Sequence, residues 1–137
     1  MRHSIAAAFV LVAALATAPA RACAVHEPLN LRAALGADLV AIGRIGHYRM
    51  EPGGHERFDV AVEEVLRGRA GRSVTVGYSG QMLGPPRSLP RGPVLIALRR
   101  EGGAYAILSH ICSDPFLLPA GSAQAIETRR LLRRGAR

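Results

Sequence analysis

The sequence predicts an all-β domain, a five-stranded antiparallel barrel with a short N-terminal helix ahead of it and a C-terminal helix behind it. Three observations carry that expectation. Apolar residues recur in five short stretches of strand length, Gly- and Pro-rich turns separate them, and helical signals fall only at the two ends. A β-sandwich would call for about seven strands.

Residues 1–22 precede the domain and have the order of an export signal. A basic start, Met1-Arg2-His3-Ser4, leads into apolar residues from Ile5 through Ala16 and then small residues up to Ala22. The apolar run is short of the roughly 20 residues a membrane-spanning helix needs. No later stretch is longer, so the mature chain is expected to lack a transmembrane segment and to be periplasmic or secreted. Cleavage is open between Ala20, Ala22 and Ala24. After Ala22 it leaves 115 of the 137 residues, divided into a barrel domain over 23–121 and an Arg-rich C-terminal helix or tail over 122–137. Lipid attachment at Cys23 is disfavoured by Arg21, which stands where small or apolar residues are usual.

In the domain, Asn30 is placed to cap a short helix over Leu31–Leu35 that Gly36 ends. The first strand, Leu39 to Ile45, starts apolar on both faces, and Gly43 allows a bend or a close backbone approach. "RMEPGGHE" (49–56) is a turn region. A second strand sets Phe58, Val60 and Val62 on one face, and Glu63-Glu64 breaks its alternation as a bulge would. Val74, Val76 and Tyr78 mark the third strand, and Ser79 to Gly92 reads as a long loop. "PVLIALRR" and "AYAILSHIC" are the fourth and fifth strands around the turn "EGG". Ser122 opens a helix to about Arg134. Five strands in this hairpin-rich order place the OB-fold first among small barrels.

Composition narrows the function. All 18 basic residues are arginine, and the chain from Cys23 carries 16 of them against 10 acids, a net charge of +6. Such a surface suits anionic partners. Single-strand nucleic-acid binding needs aromatic platforms, and Tyr48, Tyr78, Tyr105, Phe58 and Phe116 are too few once a core takes its share, so no nucleic-acid partner is expected. Gly-x-Ser-x-Gly, His-Glu-x-x-His and phosphate-cradling loops are absent, which points to a binding protein without catalytic activity or cofactor. His26, His47, His55 and His110 lack the tight spacing of a closed zinc site and are expected on the surface. Two cysteines in an exported chain suggest a Cys23–Cys112 disulfide, which contributes about 4–5 kcal/mol in the chain-entropy account.

"ADLVAIGRI" (37–45), "FDVAVEEVLRG" (58–68), "VTV" (74–76), "GPVLIAL" (92–98) and "ILSHICS" (107–113), with a cysteine at the signal boundary, resemble in order and spacing the netrin-like module of the tissue inhibitors of metalloproteinases. The resemblance covers most of Cys23 to Ala120. It implies an OB barrel whose first cysteine chelates the catalytic zinc of a metalloprotease through its free amine and carbonyl oxygen. That role falls to Cys23 only if cleavage follows Ala22, with the loops Arg49–Glu56 and Ser79–Gly92 completing the contact ridge. The family begins Cys-x-Cys, whereas Val25 stands at the second position here. A Cys23–Cys112 pair therefore takes the structural place of the family's second cysteine.

A different partner is suggested by "IETRRLLRRGAR" (126–137). Helical spacing puts Arg129, Arg130, Arg133, Arg134 and Arg137 on one arc, a contact for anionic envelope components.

Overall fold

The computed structural model describes residues 25–78, 89–110 and 112–136. Six strands and two helices are seen among them: a 3-10 helix at Leu31–Gly36, β1 (Leu39–Glu51), β2 (His55–Arg67), β3 (Ser73–Tyr78), β4 (Val94–Glu101), β5 (Ala104–Ile107), β6 (Leu117–Pro119) and α1 (Ala123–Gly135). The expected early helix is thus a 3-10 helix rather than an α-helix, although Asn30 caps it by accepting a hydrogen bond from the Arg32 N–H at 3.1 Å.

Five strands close a ring in the order β1, β2, β3, β5, β4 and back to β1. All neighbours are antiparallel except β3 and β5, which run parallel through Val76–Tyr105 and Gly77–Ala106. The purely antiparallel barrel expected from sequence is corrected here, and the reason is arithmetic. Directions cannot alternate around a ring with an odd number of members, so one pair must be parallel.

The fifth strand is also shorter than expected, ending at Ile107. β6 then takes up the same edge of β4, pairing Val94 with Pro119 and Ile96 with Leu117, while β5 pairs with Leu98 to Glu101. Residues 108–116 are an excursion between these two pieces. The region 49–56 is likewise mostly strand: only Pro52–Gly54 turn, and Gly53 and Gly54 hold the positive φ that the turn requires.

Two local features shape the barrel. At Glu63, β2 gains a residue: Gly43 faces Val62 and Ile42 faces Glu64, leaving Glu63 unmatched. Beside it, a Cβ on Gly43 would meet the Ala61 carbonyl oxygen and lie 2.8 Å from Val60 Cγ1, so only glycine fits there.

The first five residues of both β1 and β4 are buried on both faces. Their inward side chains join Phe58, Val60 and Val76, and α1 adds Ala125, Thr128 and Leu132 as one stripe. Ser122 caps α1 by accepting from the Ala125 N–H at 3.2 Å. No described helix is long and apolar enough to cross a membrane.

Candidate functional site

The excursion between β5 and β6 is where the structure gathers the residues singled out around Cys112. Three backbone bonds pin its base: Leu108 N–H to Ala97 O at 2.9 Å, Ala97 N–H to Phe116 O at 3.1 Å, and Phe116 N–H to Leu108 O at 2.9 Å. The chain after Cys23 runs alongside, with Glu27 N–H donating to Cys112 O at 2.8 Å and Glu27 bridging to Ser113 in parallel. Pro28 has no N–H to continue a ladder, so the segment leaves after one bridge and enters the 3-10 helix.

Side chains repeat the crossing. His26 Nε2 lies 3.3 Å from Asp114 Oδ2, and His110 Nδ1 lies 3.6 Å from Glu27 Oε2. Each pair joins the N-terminal segment to the Cys112 loop, and all four side chains are exposed. A cavity of about 360 Å³ beside them is lined by Pro28, Leu29, Leu108, His110, Ser113 and Phe116. No group of three or more His, Cys, Asp or Glu that could hold a metal occurs among the described residues. The cavity thus has apolar residues in its lining and two exposed His–carboxylate pairs beside it.

The other expected site residues are dispersed. Cys23 and Arg137 lie outside the described residues, as do 79–88 of the long loop. The arginine arc of α1 is partly consumed within the molecule. Arg129 Nη2 contacts both carboxylate oxygens of Glu64 on β2, at 3.0 and 2.9 Å, and Arg130 Nη1 lies 2.6 Å from Glu127 Oε2. Arg133 and Arg134 remain exposed, without an acidic partner among the described residues. Phe58, Phe116 and Tyr78 are buried in the core. His47 and His55 are exposed, and His47 Nδ1 is 3.3 Å from Asp59 Oδ2.

A residue the sequence reading passed over is Glu56, only 6% exposed. Its Oε1 accepts a hydrogen bond from the Tyr48 hydroxyl at 2.7 Å. An irregularity in β1 makes this possible: register breaks between Gly46 and Arg49, with His47 at φ +51°, and Tyr48 is carried over Glu56. The Tyr48 phenol is pushed up to about 12, first by that hydrogen bond, then by burial and the carboxylate's charge. Tyr78 is raised too, by burial first and then by Glu56 and Asp114. The signal was legible: Glu56 is in phase with Phe58 and Val60 on the inward face, but the Pro-Gly-Gly of 49–56 reads as a turn.

No protein-family model matches the chain, and no curated protein matches it.

Proposed function

We propose that this is an exported, non-catalytic binding protein built on an OB-fold, and that its N-terminal edge engages a zinc metalloprotease in the manner of the inhibitors it resembles. The observation that carries the reading is the bracing of residues 26–28 against the Cys112 loop by a backbone bond and two His–carboxylate pairs. A chain beginning at Cys23, with its sulfur joined to Cys112, would carry its amino terminus three residues ahead of this braced segment. Such a terminus offers a neutral amine and a carbonyl oxygen to the open position of a catalytic zinc. The strand ring supports the fold assignment, being five-stranded with hairpins β1–β2, β2–β3 and β4–β5.

The test begins with the intact mass of the exported protein, with and without reduction and alkylation. A chain starting at Cys23 with no alkylatable thiol before reduction is expected. Inhibition of a panel of zinc metalloproteases is then compared with that of a form carrying one extra alanine before Cys23. Loss of inhibition in the extended form supports amine chelation; inhibition by neither form overturns the reading.

The exposure of Arg133 and Arg134 favours a second reading, contact with anionic envelope components. Removing the helix is a poor test, because Leu132 is buried in the core. Arg133→Gln with Arg134→Gln keeps the fold, and unchanged binding to anionic vesicles would set the second reading aside.

A further inference from the structure

At the end of the barrel where β2, β3 and β5 meet lies a cavity of about 530 Å³, lined among others by Glu51, Glu56, Arg57, Tyr78, Glu101 and Tyr105. Three carboxylates converge on it, and two of them are matched: Arg57 Nε is 3.2 Å from Glu51 Oε1, and Arg99 Nε is 2.7 Å from Glu101 Oε1. Glu56, the buried one, has no cation beside it among the described residues. Tyr48 occupies its Oε1, and its Oε2 is buried with no hydrogen-bond partner among them. Leaving a buried carboxylate oxygen without a donor is costly, and native structures rarely do so.

We propose that Glu56 anchors a binding site for an alkylammonium group. Such a group brings three donors and no acceptor, so it satisfies Oε2 without creating a new deficit. Its alkyl chain and positive charge both suit the aromatic walls. Tyr105 already carries the Arg100 guanidinium, 5.4 Å from its ring centroid, and Tyr78 stands opposite Glu56 across the β2–β3 ladder. A guanidinium fits less well, because its planar fork seeks two carboxylate oxygens and one of Glu56's is engaged by Tyr48. A metal ion has no set of three His, Cys, Asp or Glu ligands among the described residues. An apolar ligand would leave Oε2 bare. Glu56 itself lines the cavity, so an ammonium seated there meets the carboxylate while Tyr48 keeps Oε1.

The ammonium has two sources, a free small amine or a lysine side chain. The chain contains no lysine, so a lysine ligand belongs to a different protein. The exported protein, labelled with ¹⁵N, is titrated with butylammonium, with neutral 1-butanol, and with acetyl-lysine methylamide. Saturable shifts at Gly77, Tyr78 and Ala106 are expected with either amine and not with butanol. In Glu56→Gln the affinity should fall roughly ten- to hundred-fold, the worth of a charge-assisted hydrogen bond. Tighter binding of the lysine derivative identifies a protein lysine as the ligand, and tighter binding of butylammonium a free amine. No saturable shift with either amine, equal shifts with butanol, or unchanged affinity in Glu56→Gln overturns the proposal. Should Glu56→Gln not fold, the amine-against-butanol comparison on the unaltered protein decides alone.

Discussion

Glu56 and Glu64 stand near opposite ends of β2, and their surroundings differ in every respect that matters. Glu64 is 47% exposed and meets Arg129 of α1 through both oxygens, whereas Glu56 is 6% exposed and has one hydrogen bond, from Tyr48. The better-matched carboxylate is the one in water. An exposed ion pair gains little because solvent screens it, while a buried oxygen without a donor loses its hydration outright. The helix end of the barrel is therefore electrostatically finished and energetically quiet, and the Glu56 end holds an unmet demand.

Several measurements would sharpen or break that contrast. The largest effect is expected from Phe58→Ala, which removes the fully buried ring next inward from Glu56 on the same face. Denaturant unfolding should show a loss of about 3–5 kcal/mol. Glu56→Met should act in the opposite direction, raising stability by about 1–3 kcal/mol by replacing a poorly satisfied buried carboxylate with an apolar chain of similar length. A clear loss of stability would mean that Glu56 is better satisfied than its geometry indicates.

The pH dependence follows from Tyr48. Its phenol, raised to about 12, keeps its proton in the fold after an ordinary tyrosine near 10 has lost it in the unfolded chain. The folded state then binds more protons, so the associated stability is complete below about pH 10 and is lost as pH rises to about 12. Absorbance titration of the phenolates should find a late-titrating group, and Glu56→Met should move it back toward 10. The smallest effect is reserved for the other end: Arg129→Gln should cost only about 0.2–1 kcal/mol at low salt. That difference should shrink in high salt, as screening requires.

Much of the barrel was legible because its signals are local. Phe58, Val60 and Val74, Val76, Tyr78 alternate as strands on a packed face must, Glu63-Glu64 announced the extra residue in β2, and Gly43 marked a close approach. Ser122 and the apolar stripe of Ala125 and Leu132 described α1. The break after Ile107 was not legible. "AYAILSHIC" is apolar enough to continue as a strand, and only the competition of residues 117–119 for the same edge of β4 ends it. Ion pairs were equally hidden: Arg129 and Glu64 are 65 residues apart, and helical spacing placed the arginine on an arc without saying that β2 would meet it.

By itself, then, the sequence determined the number and approximate place of the barrel strands, the C-terminal helix, and a chain whose basic residues are all arginine, since periodicity, caps and composition act over a few residues. Tertiary structure decided which strands are neighbours, why one pair must be parallel, how residues 26–28 come to lie beside Cys112, and which of β2's glutamates is left with a bare oxygen. Those outcomes depend on closure of the ring, which brings distant segments together by geometry rather than by any local preference.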